Sequence, residues 1–188
     1  LERFHPQNTY VIIVGDINFN IAKNLTQKYF GNWEKGKISK SRFETPKNLD
    51  QTAIAFVEMP NAVQSEISIL STAAITKNDP EYYPLLIANQ ILGGEAEARL
   101  FLNLREDKGY TYGSYSSYSF NHKTNSRFRA YASVRNAVTD SSVVELLNEI
   151  TKISKEPVSD DELNLVKKKY AGSLIRSMEQ PSNICLLY

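Results

Sequence analysis

The stretch from Asn89 to Tyr118 constrains this chain more than any other. It reads as a helix running out through Ile91-Leu92, a double-glycine turn at Gly93-Gly94, a second helix with Leu100, Phe101 and Leu104 on one face, a stop at Gly109, and then a strand. Apolar residues three and four apart bury one face of a helix, and a glycine just past the last of them supplies the left-handed cap that ends it. The order puts Arg105 in the last helical turn and Tyr112 at the start of the strand, seven residues apart across the Gly109 reversal. Both side chains are therefore expected to emerge on one side, pointing away from the core.

The flanking segments supply the layers. Tyr10 to Val14 is a continuous apolar run and predicts an inner strand; Ile21, Leu25 and Tyr29 recur every four residues and predict a helix that Gly31 ends. From Asn32 to Gln51 nothing is periodic, and its scattered lysines and arginines alternate with acids as a solvated loop does. Thr52 to Met59 and Gln64 to Ala73 predict a hairpin through Pro60-Asn61. Asn78-Asp79-Pro80-Glu81 has the form of a helix start, with an Asn cap and a Glu three residues on.

After the central stretch, Tyr110, Tyr112, Tyr118 and Phe120 share one strand face and Tyr115 takes the other. Phe128, Ala130, Ala132 and Val134 alternate with Arg127, Arg129, Tyr131, Ser133 and Arg135, so one face of this sheet is core and one is wet. Thr139 or Asp140 caps a helix through Leu146 and Ile150, and Ser159-Asp160-Asp161-Glu162 is a capping box for a last helix. Hairpins and grouped helices in this order predict an α+β fold, a largely antiparallel mixed sheet with helices packed on one face.

These residues carry a resemblance. Leu92-Gly93-Gly94, Arg99-Leu100-Phe101, Leu104-Arg105-Glu106 and Lys108-Gly109-Tyr110-Thr111-Tyr112 stand in register and without gaps as in the C-terminal-type domain of the pitrilysin-family zinc metallopeptidases. That inverted-motif group includes insulysin and the mitochondrial processing peptidase. The strand at Tyr10, the helix ending Tyr29-Phe30-Gly31 and the strand opening at Gln64 fit as well, so the likeness covers nearly the whole chain. Glu95 stands where a third glycine is usual, and Glu97-Ala98 where two serines are.

The resemblance implies the α+β architecture with its open sheet face turned into an enclosed substrate chamber. It implies that Arg105 and Tyr112 are the catalytic contribution of this half, reaching toward a zinc ion held by an N-terminal half or a companion subunit. A phenol hydrogen bond stabilises the oxyanion that develops at an attacked peptide carbonyl, and an arginine offers charge-assisted donors to substrate carbonyls. Gly93 and Gly94 are by the same likeness a short remnant of a substrate-touching glycine loop. Arg127 and Arg129, with Arg135, line the chamber on the wet sheet face.

The expected function is thus the substrate-binding, transition-state-stabilising domain of a zinc metalloendopeptidase acting on peptides or unfolded proteins. The alternative is a non-catalytic structural or partner subunit of the same fold. A third reading, a nucleic-acid platform on the arginine face, is disfavoured by a formal net charge of +1 and the lack of a recognition motif.

Composition adds limits. At 188 residues the chain is expected to form one domain, 1–188, with ordinary globular values of 41% hydrophobic and 23% charged residues. No apolar run approaches the ~20 residues of a membrane span. Cys185, the single cysteine, cannot form an internal disulfide. The two histidines, His5 before the first strand and His122 in a hairpin turn, are expected to be ordinary surface residues. No His-x-x-Glu-His occurs, so this piece is expected to hold no metal and to cleave nothing alone. The start at Leu1 and the apolar end Ile184-Cys185-Leu186-Leu187-Tyr188 suggest an excised piece, whose tail is disordered or seeks another chain, a homodimer among the contacts expected.

Overall fold

The computed structural model describes residues 4–37 and 44–187. The side chains of Leu186 and Leu187, with Tyr188, lie outside the described residues, and so do Lys40 and Arg42 of the basic loop and the start at Leu1. The chain divides into two compact units, one of Leu1–Arg42 with Lys168–Tyr188, the other of Phe43–Lys167.

The larger unit is built on a three-stranded antiparallel sheet in which β3 (Ser126–Arg135) lies between β1 (Gln64–Ala73) and β2 (Thr111–Ser119). Ile67 pairs with Ala132 and Ile69 with Ala130 across β1 and β3; Ser116 pairs with Ala130 across β2 and β3. The alternation read from the sequence holds along β3, where Phe128, Ala130, Ala132 and Val134 are buried and Arg127 and Arg135 are exposed. Alanine at two of the central positions leaves room for helices to approach the sheet. Leu92, Leu100 and Leu104 from the central stretch and Leu146 of α4 (Thr139–Lys155) fill that space. Two shorter helices, α2 (Tyr82–Asn89) and α3 (Arg99–Phe101), complete the helical side, so the fold class is the α+β expected. The last long helix is α5 (Asp160–Ser177).

In the smaller unit, α1 (Phe19–Phe30) starts at Asn18, whose side chain accepts the Asn20 N–H at 2.8 Å, and ends at Gly31. Phe4 and Phe30 pack around Trp33 with ring centroids 4.7 and 6.1 Å away. The short α6 (Pro181–Leu187) is tied to the end of α5 by Asn183, whose N–H donates to the Gln180 carbonyl at 2.9 Å and whose Nδ2 donates to the Ser177 carbonyl at 2.8 Å.

Several expectations need correction. Tyr10 to Val14 and Thr52 to Met59 form no strand; Tyr10 and Ile54 are 93% and 91% exposed. A strand exists only where a neighbour accepts and donates its backbone hydrogen bonds, and no described segment pairs with either run. The turn at Pro60-Asn61 is present, with Asn61 at φ +66° and Ala62 N–H bonded to the Met59 carbonyl at 3.2 Å, but only its second arm joins the sheet. Helix α2 begins at Tyr82 because the Asp79 carboxylate turns back to the Thr76 N–H and hydroxyl. That places Pro84 rather than Pro80 in the first turn, where its missing N–H costs nothing. Thr139 is the first residue of α4, its hydroxyl donating to the Asn136 carbonyl at 2.9 Å.

Candidate functional site

The site begins with two unusually wide helical turns. Leu102–Asp107 is π-helical, a rare geometry frequent at functional sites, and Gln90–Gly94 is a similar wide turn kinked at Gly93. The second turn closes with Lys108 N–H on the Asn103 carbonyl at 3.0 Å and Tyr110 N–H on the Leu104 carbonyl at 2.8 Å. Gly109 makes the reversal at φ +61°, a left-handed conformation that favours glycine, as its position in the sequence predicts. The Arg135 guanidinium donates to the Gly109 carbonyl at 3.2 Å and so ties the reversal to the end of β3.

Arg105 and Tyr112 meet across this reversal. The Arg105 guanidinium lies 4.6 Å from the Phe101 ring and 4.8 Å from the Tyr112 ring, while its Nε is 3.4 Å from Glu106 Oε1. Tyr112 is 85% exposed, so the two side chains do emerge together, away from the core.

What aims Tyr112 outward is a bulge that alternation alone does not reveal. Thr111 pairs with Val134 but Ser114, three residues on, pairs with Ala132, two residues back, so β2 carries one extra residue at Tyr112-Gly113. The Thr111 hydroxyl holds the bulge by accepting the Gly113 N–H at 3.1 Å and donating to the Ser133 carbonyl at 2.6 Å. Beyond the bulge Ser114, Ser116 and Tyr118 turn toward the helices and Tyr115 toward the open face. The expected sharing of one face by Tyr112 and Tyr118 is therefore corrected: Tyr118 stacks on Phe120 and packs 5.0 Å from Phe128, and burial pushes its phenol pKa upward.

A chain of aromatic contacts leads from this edge to the open sheet face. Phe101 lies 6.0 Å from Tyr115, Tyr115 lies 6.0 Å from Tyr131, and the Arg129 guanidinium covers Tyr131 at 4.5 Å. Arg129 Nε also donates to Ser68 Oγ at 3.1 Å. Arg127 stands exposed on the same face.

The glycine pair divides its tasks. Gly93 is buried, and a Cβ there would fall 2.5 Å from the Ser116 backbone nitrogen and 2.9 Å from Leu100 Cδ1. It serves close packing of the turn against β2. Gly94 is exposed and borders an open groove of about 450 Å³ beside Tyr82, Gln90 and Tyr118.

Two contacts that motif reading missed hold the site's helices. Arg99 grips Glu162 at the start of α5 through Nε at 2.8 Å and Nη2 at 2.6 Å. The Arg99 hydrogen bonds hold the Glu162 carboxyl below its ordinary range, against an opposing push from burial, and hold the Arg99 guanidinium higher still. Ser159 does cap α5 by accepting the Glu162 N–H at 3.3 Å, but the Glu162 side chain, expected to complete the capping box, goes to Arg99 instead. Asn103 Nδ2 donates to Glu145 Oε2 at 3.0 Å and to Glu149 Oε1 at 2.8 Å, fastening the π-helical turn to α4. The sequence signal was available only in part: an asparagine inside an otherwise apolar helix face needs a partner.

Among the described residues no group of three or more His, Cys, Asp or Glu could hold a metal ion. His5 is half-buried in the smaller unit beside Gly36, rather than a free surface residue, and His122 is exposed in the turn between β2 and β3. No described helix is long and apolar enough to cross a membrane.

Sheet, glycine turn and helix-to-strand edge together define an α+β domain, and comparison with known proteins places it in a family. Residues 2–170 match the family described as peptidase M16 inactive domain, and the chain belongs to that family. It is 25% identical over 189 residues to the uncharacterized zinc protease YmxG of Bacillus subtilis (strain 168), covering 96% of this chain and 42% of that protein. The crystal structure of a peptidase M16 inactive domain from Pseudomonas fluorescens superposes with a TM-score of 0.75 at 25% identity, over 85% of this chain and 38% of that one. A protease from Helicobacter pylori has the same fold, with a TM-score of 0.75 at 20% identity over 93% and 42% of the two chains. The chain thus spans less than half the length of these relatives.

Proposed function

We propose that this chain is the substrate-binding, transition-state-stabilising domain of a zinc metalloendopeptidase that cuts peptides or unfolded proteins. In the complete enzyme zinc is held by another domain or a companion chain and supplies the Lewis acid for peptide hydrolysis. This chain works as a single domain, 1–188, beside that zinc-bearing half, and a homodimer is a further partner arrangement.

The observation that carries the reading is the contact of Arg105 with an exposed Tyr112 beyond the Gly109 reversal. A surface tyrosine held in place by a stacked arginine presents its hydroxyl to solvent at a fixed position. There it donates to a substrate carbonyl oxygen as negative charge develops, which is the interaction that lowers a barrier without tightening the ground state. Arg105, stacked and only loosely engaged by Glu106, keeps donors for the substrate backbone. Gly94 offers an exposed backbone edge at the end of the Gln90–Gly94 turn.

The test is made in the complete enzyme, with the zinc-bearing half present. Tyr112→Phe is expected to lower kcat on the order of 10²-fold with zinc content and melting temperature unchanged. Arg105→Ala is expected to raise KM as well as lower kcat. Full activity in Tyr112→Phe, or losses that merely follow melting temperature, would remove the proposal.

A further inference from the structure

We propose that the open face of the sheet selects extended peptides carrying two carboxylates at alternate positions. This rests on the reading of the Arg105–Tyr112 edge as a substrate site and adds the class of substrate that the site takes.

The argument starts with the neighbours of two arginines. On the open face Arg127 lies opposite Thr72 and Ser119, and Arg129 opposite Leu70 and Ser117. Hydroxyls and one apolar side chain surround them. Among the described residues neither arginine forms an ion pair with a carboxylate. The acid that shares this face in the register, Glu66, lies opposite Ser133 and is hydrogen-bonded to its hydroxyl, four positions along β3 from Arg129. A strand face with two cations, hydroxyl partners in the register and no carboxylate ion-paired to either cation is complementary to negative charge on whatever crosses it.

Arg129 is also set in place beforehand. Its Nε is engaged by Ser68 at 3.1 Å and its plane rests on Tyr131 at 4.5 Å, a ring itself braced by Tyr115. Both terminal nitrogens of the guanidinium remain for a ligand, and the rotamer freedom that binding would otherwise cost has already been given up.

Spacing then specifies the ligand. Arg127 and Arg129 are two residues apart on one strand face, about 6.7 Å, and side chains on one face of any extended peptide repeat at the same interval. Adjacent acids point to opposite faces and cannot satisfy both arginines. Ser117, the β2 partner of Arg129, is five residues beyond Tyr112, one of them taken up by the bulge. The acidic pair therefore belongs four to five residues from the bond at Tyr112, at roughly 15 Å.

The experiment uses the complete protein, zinc removed by chelator for binding and restored for cleavage. Three fluorescent peptides of equal length carry, about five residues from a central bond, Glu-x-Glu, Glu-Glu or Gln-x-Gln, and binding is read by anisotropy at low and moderate salt. Glu-x-Glu is expected to bind roughly tenfold more tightly than Gln-x-Gln at low salt, with Glu-Glu between them and the difference shrinking as salt rises. Arg127→Gln and Arg129→Gln should each remove most of that advantage; Arg127, exposed and free of packing duties, gives the clean variant if Arg129→Gln lowers the melting temperature. Equal binding of the three peptides, an advantage that survives both substitutions, or displacement by a single-stranded oligonucleotide at the same affinity overturns the inference. Cleavage of the Gln-x-Gln peptide that needs Tyr112, without acidic preference, removes this inference and leaves the proposed function standing. Acidic preference without Tyr112-dependent cleavage does the reverse.

Discussion

Arg105 holds its guanidinium 4.8 Å from the ring of Tyr112, and the two are joined through space across a reversal that separates them by seven residues in the chain. Phe101 touches the same guanidinium at 4.6 Å. A guanidinium fits against two rings because it is flat, weakly hydrated and charged at any working pH, and such contacts are worth about 0.5–1 kcal/mol at exposed sites.

Arg105→Lys keeps the charge and loses the plane. The ammonium cannot lie flat against the rings of Phe101 and Tyr112, so the phenol loses its brace. In the complete enzyme KM is expected to rise about three- to tenfold and kcat to fall, while the melting temperature of this domain moves by no more than about 2 °C. Kinetics beside a thermal melt decide it; wild-type parameters in the lysine variant would show that charge alone suffices.

Thr111→Val preserves shape and deletes the hydroxyl that holds the bulge. Gly113 N–H and the Ser133 carbonyl lose a partner in a half-buried place, at a cost of about 1–2 kcal/mol. A fall of about 2–6 °C in melting temperature is expected. Turnover should fall further than that loss explains, because Tyr112 sits in the loosened segment. Unchanged turnover in a destabilised variant would separate the bulge from the site.

The two adjacent glycines should respond very differently to a methyl group. Gly93→Ala drives a Cβ to 2.5 Å from a backbone nitrogen of β2, which can yield only by moving the turn or the strand. A loss of about 1–3 kcal/mol is expected. At Gly94 the clash is with the flexible Gln90 amide at 2.4 Å, which can swing into the groove, so Gly94→Ala should cost less than about 1 kcal/mol. Urea unfolding of both variants measures the difference, and equal losses would contradict the packing account.

The Arg99–Glu162 pair makes stability depend on acid. Glu162 is held below its ordinary value of 4.5, first by the Arg99 hydrogen bond, so its folded state favours the carboxylate. The stabilisation is full above about pH 4.5 and is lost as pH falls below that through the depressed folded value. Arg99, whose guanidinium is held still higher than its ordinary value by the Glu162 hydrogen bond, stays charged throughout and adds no slope. Glu162→Gln should therefore lie below wild type in stability at pH 7, by about 1 kcal/mol, with the gap closing as pH falls below about 4.5. A gap that stays constant as the carboxylates are protonated in acid would show that the pair contributes nothing through charge.

Much of this was legible because it follows from periods and caps. The alternation from Phe128 to Val134 depends only on the pleat of a strand, and Gly109 on the one residue type that turns left without strain. The rest depends on partners that no local pattern names. Tyr10 to Val14 has the composition of a strand but no described neighbour to pair with. Glu162 suits a capping box until Arg99, distant in sequence, offers a bidentate ionic contact that a backbone N–H cannot match. Tyr112 and Tyr118 share parity in the sequence, and the extra residue between Thr111 and Ser114 cancels that parity in space.

That extra residue gives the chain slack. A helix end and a sheet repeat at different intervals, 1.5 and about 3.3 Å per residue, and a rigid junction between them would oblige any shift in the helix to slide the whole strand. With slack at Tyr112-Gly113, the helix bearing Arg105 can be retuned by substitution while β2 keeps its register with β3 and the core below stays filled. The contact surface and the scaffold are thus separately adjustable, and a protein family could refit such an edge to new peptides without refolding the domain that carries it.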